Sequence, residues 1–351
     1  MLWGQRPIDW HQLPALYPPT QIQGIYRADP QAFIVEEDLG VEPSGSGEHW
    51  WLWIEKIGLT TEEVIHRLSN TWGIKPALFG YAGKKDRLAV ARQWISCPIE
   101  AKPQLGGVGV GLEILAIHRD AQKIRVGQLH GNRFQIRIDA ITGLEALPER
   151  LALITRSGIP NYFGPQRFGR EGQTLERVRQ LSQRDPEGRR RLRHNQSMLA
   201  SAARGAGFNA IVAEHLDQGT LDTVQRGAVL QLPGDLREQV VCQETLLEWS
   251  ARVEARDAVL TGALFGRRCL SRHAVFAMEQ GIQDADPLGR WLLGIFPYEK
   301  RRALRVWPSD LDWQVIDEAL TLRFTLPKGS FATAVLKEIG AIGIDDACLD
   351  Q

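Results

Sequence analysis

Residues 80–94, GYAGKKDRLAVARQW, place one aspartate directly after two lysines and at the head of an apolar run. Asp86 has two readings. Ahead of RLAVARQW it can cap a helix, accepting a hydrogen bond from a free first-turn N–H. It can also be a carboxylate kept for chemistry. Lys84 and Lys85 would then favour its charged form and hold its pKa down. Gly80 and Gly83 would permit a tight turn and the close approach of a substrate. On residue type alone the cap is the commoner role, and the stretch by itself leaves the choice open.

Around this stretch the first 150 residues read as strands mixed with helices. FIVEE (33–37), WWLWIEKI (50–57), RQWISC (92–97) and LEILAIH (112–118) are short β-like runs, and RFQIRI (133–138) puts Phe134, Ile136 and Ile138 on one face. TTEEVIHRLSNTWG (60–73) predicts a helix, with Thr60 and Glu63 at capping-box spacing, Val64, Leu68 and Trp72 in phase, and Gly73 as the stop. A second helix is expected over 147–157, ended by Gly158. From about 174 to 216 the pattern is mostly helical. The next hundred residues are poorly periodic, with turns expected at 233–234 and 286–289. Alternation returns in LTLRFTL (320–326), and LPKGSFATAVLKEIG (326–340) reads as a turn and helix, with Ser330 as N-cap and Gly340 as stop. The return of β patterning after the middle segment points to one domain interrupted by an insertion.

The chain has 351 residues, 43% of them hydrophobic, enough for two domains. Its 42 basic and 42 acidic side chains cancel, so no global field favours nucleic acid or membrane. Charge is instead local. Residues 156–205 hold eleven arginines, no lysine and four acids, a net of +7, with Tyr162, Phe163 and Phe168 interleaved among Arg167 and Arg170. Arginine binds phosphate in a forked geometry and stacks on bases, so this stretch, with Arg190 and Arg191, is a candidate nucleic-acid face. Charge runs are also commonly just solvated surface. The four cysteines are scattered, and neither a C-x-x-C pair nor an H-E-x-x-H supplies a metal site. A run of about 18 apolar residues is absent, and the N-terminus is too rich in Pro and charge for a signal peptide. The expectation is a cytoplasmic protein without a metal or membrane span. GGVGVG (106–111) leads into a β-like run and reads as a loop, not a cofactor turn.

Taken together, AFIVEEDLG (32–40), YAGKKDRLAVARQW (81–94), GQLHGNRFQIRI (127–138), GIPNYFGPQRFG (158–169) and LPKGSFATAVLKEIG (326–340) resemble the tRNA pseudouridine synthase D family, in order and across nearly the whole chain. The resemblance implies an α+β pseudouridine-synthase fold: a mixed, largely antiparallel sheet flanked by helices. It also implies a catalytic domain built from residues 1–158 and 303–351. A family-specific α/β insertion domain, 159–302, would complete a V-shaped molecule.

The activity implied is isomerisation of a uridine, expected at position 13 of tRNA, after base flipping and without a cofactor; a monomer is the simplest expectation. Asp86 matches the catalytic aspartate and Lys85 the lysine before it. Phe33, Asn132, Phe134 and Phe331 match the substrate pocket, and Arg27 falls at a basic position that could pair with Asp86. Residue 91 is Ala where the family usually has Thr, with no loss of chemistry expected. The rival readings are an inactive tRNA-binding protein or RNA chaperone, served by the same arginines, and a different RNA enzyme such as a nuclease or methyltransferase.

Overall fold

The structure is a computed structural model and describes residues 10–345 apart from 28, 170–171, 189–191, 193, 233–234, 236 and 268–273. The chain opens with β1 (Gln23–Tyr26), β2 (Phe33–Asp38) and β3 (His49–Lys56), then α1 (Thr61–Trp72). β4 (Gly80–Tyr81), β5 (Val90–Pro98), β6 (Gly106–Gly107), β7 (Leu112–Asp120) and β8 (Gly131–Thr142) follow, before α2 (Leu147–Ser157) and the short β9 (Ile159–Pro160). The middle third contains α3 (Gln173–Gln183), α4 (His194–Asp217), β10 (Val229–Gln231), β11 (Glu238–Val240), α5 (Leu246–Glu254), β12 (Val259–Leu264), α6 (Ala274–Asp284) and α7 (Pro287–Ile295). The chain returns through β13 (Lys300–Ala303), β14 (Arg305–Val306), β15 (Ser309–Ile316), β16 (Ala319–Pro327), α8 (Ala332–Ile339) and β17 (Ala341–Ile344).

The main sheet runs β15-β16-β8-β2-β5-β3-β7-β6, with β1, β4 and β17 attached. Among the described strands, only β2–β5 and β1–β17 pair parallel. The C-terminal β16 zips onto β8 over eight residue pairs, from Leu320↔Ile138 to Pro327↔Gly131. The expected alternation is thereby realised: Leu320, Leu322, Phe324 and Leu326 are all buried. A separate sheet, β11-β10-β12-β13, is formed wholly from residues 229–303.

Helix α1 forms where its sequence signals put it. The Thr60 hydroxyl accepts from Glu63 N, the Glu63 carboxylate accepts from Thr60 N, and Gly73 ends the helix in the left-handed region (φ 66°). Such a cap contributes about 1 kcal/mol. Val64, Ile65 and Leu68 are buried against Leu52, Ile54 and Ile95 of β3 and β5, worth roughly 1.5–3 kcal/mol each. At the other end of the same sheet face, α2 and α8 join a second core with Phe134, Ile136, Ile138 and Leu322. Between these two helical covers the face carries the polar residues described below.

Three local readings change. RLAVARQW is not a helix: residues 87–89 turn and β5 begins at Val90, so Asp86 is no N-cap. The β5 residues pair with β2 and β3, and that ladder overrides helical spacing. Residues 286–289 are not a plain turn but the start of α7, with Pro287 at its first position and the Asp286 carboxylate accepting from Leu288 N (2.9 Å). Ser330 does not cap α8; the N-cap position falls to Phe331, whose side chain makes no cap. GGVGVG contributes β6, which pairs back onto β7, in keeping with a connection and not a cofactor turn. Residues 233–234 lie outside those described.

Candidate active site

The Asp86 turn is a loop with its ends tied. β4 pairs with β5 through Gly80↔Ser96 and Tyr81↔Ile95. Gly80 is required there, because a Cβ would lie 2.3 Å from Ile124 O. Gly83 meets only ordinary contacts and has no positive φ, so the tight-turn role expected of it is absent.

Inside the loop almost every polar group of Lys85 and its neighbours is held. Lys85 N donates to Thr61 Oγ1 (2.9 Å), which donates to Gln93 Oε1 (2.9 Å). Lys85 Nζ donates to Glu37 Oε1 (2.8 Å), and Glu37 Oε2 accepts from Trp94 N (3.0 Å). Both members of the Lys85–Glu37 pair are buried. Lys56 Nζ donates to the main-chain oxygen of Asp86 (2.6 Å). Outside, Lys84 pairs with Glu62 and Arg87 with Glu63, so the first turn of α1 holds the exposed side of the loop.

Strand register explains how these residues meet. Lys56 lies opposite Ala91, Ala91 opposite Val35, Val35 opposite Phe134, and Phe134 opposite Phe324. One step along, Glu37 lies opposite Asn132, and Asn132 opposite Leu326. Directly paired residues share a face, so Lys56, Glu37, Asn132 and Phe134 line one side of the sheet. Phe33 stacks on Phe134 (centroids 5.8 Å, 26°), Phe134 leans on Phe324 (5.6 Å), and Tyr26 meets Phe33 edge-on. The buried Asn132 Oδ1 has no hydrogen-bond partner.

Asp86 is exposed by residue, yet burial raises its carboxyl pKa from the ordinary carboxylate value; Lys56 and then Lys85 pull it back. Its side chain is open to water, yet enough protein surrounds it to disfavour the charged form. The expected depression by Lys84 and Lys85 is therefore corrected: burial outweighs the cations, and Lys84 is spent on Glu62.

Arg27 pairs with Asp139 (3.1 Å) and is exposed; the cations acting on Asp86 are Lys56 and Lys85. Phe331, four residues past the end of β16, belongs to a neighbouring cluster with Phe163 (5.4 Å) and Arg302. Arg167 is half-buried, not a surface charge, and donates to Ser201 Oγ. Arg170, Arg190 and Arg191 lie outside the described residues. No His/Cys/Asp/Glu group among the described residues could hold a metal ion, and no described helix is long and apolar enough to cross a membrane.

Sequence reasoning missed Lys56, Glu37, Thr61 and Gln93 as members of the site. One signal was present: Lys56 follows Leu52 and Ile54 at strand spacing, and a lysine on an inward-facing row needs a reason to be there.

The fold is shared with a solved structure of a Methanosarcina mazei protein described as a tRNA pseudouridine synthase D (TM-score 0.67, 19% identity, covering 93% of this chain and 95% of that one). The likeness is one of fold: a largely antiparallel sheet flanked by helices. Residues 17–189 and 189–339 match the family model for tRNA pseudouridine synthase D (TruD). A tRNA pseudouridine synthase D from Hydrogenovibrio crunogenus is 36% identical over 349 residues, covering 97% of this chain and 99% of that protein. One from Aeromonas salmonicida is 36% identical over 337 residues, covering 93% and 94%. The chain belongs to the tRNA pseudouridine synthase D family, whose members are isomerases.

Proposed function

We propose that this protein converts a uridine of tRNA, at position 13, to pseudouridine, with Asp86 as the catalytic carboxylate. The observation that carries the reading is the Asp86 loop: its main chain and Lys85 are fastened by Lys56, Thr61 and Glu37, leaving one carboxyl whose charge burial opposes, tied to the sheet face that also carries Phe33 and Phe134. Preorganisation of this kind suits a single carboxylate acting on a substrate brought to it.

The reaction breaks the N1–C1′ bond, turns the uracil and joins C5 to C1′. The C5 proton is lost and N1 gains one, so the isomerisation is balanced without a co-reactant. Extruding the base costs a few kcal/mol, and aromatic stacking returns about 1–3 kcal/mol. Phe33 and Phe134 supply walls on the sheet, and Phe331 a wall at the start of α8. Asn132 offers its unpartnered buried acceptor to the N3–H of uracil. Ionised Asp86 then attacks C1′ or removes the 2′ proton. Lys56 and Lys85 favour the ionised form against burial. The segment 159–302 forms the insertion domain in this reading and carries further RNA contacts.

The test is position-mapped pseudouridine in unmodified tRNA for wild type and Asp86→Asn. Product at one uridine with the wild type, none with the variant, and equal tRNA binding support the reading. Product from both proteins would remove Asp86 from the chemistry.

A further inference from the structure

Helix α8 begins without a cap. Phe331 takes the N-cap position in extended backbone and has no side-chain acceptor to give. Ala332 and Thr333, the first helical residues, are buried. A helix start leaves up to about four N–H groups without intrahelical partners and carries about half a positive charge. In a buried setting it calls for an acceptor.

Two arginines converge on the same place. Arg302, on β13, donates to Asn161 O (3.0 Å), Asn161 Oδ1 (2.6 Å) and Gly329 O (2.7 Å). Its guanidinium stands 4.2 Å from the ring of Phe163 and 6.0 Å from that of Phe331. Arg167 donates to Ser201 Oγ, and its buried Nε has no partner. The residue before it, Gln166, accepts from Thr333 Oγ1 in the first turn of α8 (3.3 Å). Gly164 packs so closely there that a Cβ would lie 2.2 Å from Thr333 Oγ1.

Every hydrogen-bond acceptor of Arg167 and Arg302 among the described residues is a neutral oxygen. Burial lowers both pKa values; Arg302 falls to about 9, with the charge of Arg167 adding to burial. Cations partly withdrawn from water without a counter-charge are costly. Two of them at an uncapped helix start form a cradle for an anion.

We propose that the start of α8, Arg167 and Arg302 bind one phosphodiester group of the RNA, beside the Phe331 ring. The inference rests on the RNA-substrate reading and adds the group that would fix the strand next to the extruded base. Arginine N–H groups match the oxygens of a phosphate, and the helix N–H groups can donate to the same oxygens.

The experiment titrates the full-length protein with tRNA assembled by ligation, each version carrying one neutral methylphosphonate linkage at a different position. The expected result is one linkage, adjacent to the modified uridine, that weakens wild-type binding about tenfold and leaves the already weakened Arg167→Gln unchanged. Arg167→Gln should also reduce the slope of log affinity against log salt by about one. Arg302→Lys keeps the charge but not the fork, and should lose sensitivity to the same linkage. Should Arg302→Lys fail to fold, Arg167→Gln carries the test. Equal sensitivity of Arg167→Gln and wild type to every linkage overturns the proposal. So does tRNA binding unaltered by Arg167→Gln while inorganic phosphate raises the melting temperature of wild type alone, the mark of a free-phosphate site. Absence of pseudouridine with wild type would instead remove the enzymatic reading, and the linkage pattern would still decide the phosphate site.

Discussion

The Lys56 ammonium donates to the main-chain oxygen of Asp86 at 2.6 Å from a position wholly out of water. Burial drives its pKa down to about 8, against the opposing pull of Asp86. It ties β3 to the Asp86 loop and supplies positive charge where the carboxyl needs it.

A lysine whose folded pKa lies below its unfolded value loses its proton first in the folded protein. Its cost to stability is full below about pH 8 and is relieved as pH rises towards 10.5. The relief is on the order of 3 kcal/mol. The stability of Lys56→Met relative to wild type should therefore fall by about that much between pH 8 and 10.5. Urea denaturation across that range measures it, and a constant difference would show that Lys56 keeps its proton. At pH 7, Lys56→Met should lower turnover about a hundredfold if Lys56 supports Asp86 as proposed.

Asp86→Asn should abolish product while melting at or above the wild-type temperature at pH 7. A carboxyl with a raised folded pKa lends stability at low pH and loses it as pH rises through that pKa. At neutral pH the wild type thus bears a cost that Asn removes. The two melting curves should converge as pH drops below the ordinary carboxylate range. A large loss of stability at pH 7 would mean that Asp86 holds the fold together.

Glu37→Gln should be the damaging change. It leaves Lys85 buried without its counter-charge, a cost of about 3–5 kcal/mol. Glu37→Gln combined with Lys85→Met should recover most of the stability and none of the activity, since the loop loses its anchor. Denaturant midpoints of the single and double variants give the coupling; simple additivity would deny that the pair matters.

Asn132→Ala should cut turnover at least about tenfold while costing under about 1 kcal/mol of stability. Its buried oxygen has no partner in the protein to lose. Wild-type turnover would count against a uracil-reading role, and a stability loss typical of a core truncation would mark it as structural.

Much of the architecture was legible because its signals are local. The Thr60–Glu63 box and Gly73 bound α1 where expected, and Leu147–Ser157 forms the helix read from its spacing. The failures are also physical. RLAVARQW became strand because pairing with β2 and β3 satisfies its backbone. The Pro287–Gly289 punctuation opened a helix because proline fits a first turn, where its missing N–H costs nothing. Ser330 fell one residue too early to cap α8.

For the site, the sequence by itself determined the family, the Asp86 loop and the residue types around it, since motif order and strand alternation are written along the chain. It also made Phe134 and Asn132 face one way, because side chains alternate with a period of two. Only the tertiary structure decided which charges meet. Arg27 went to Asp139, Lys85 to Glu37, and Lys56 came to Asp86 from thirty residues away. Those pairings follow from the register of β3, β5, β2 and β8, a relation between distant segments on which local spacing is silent.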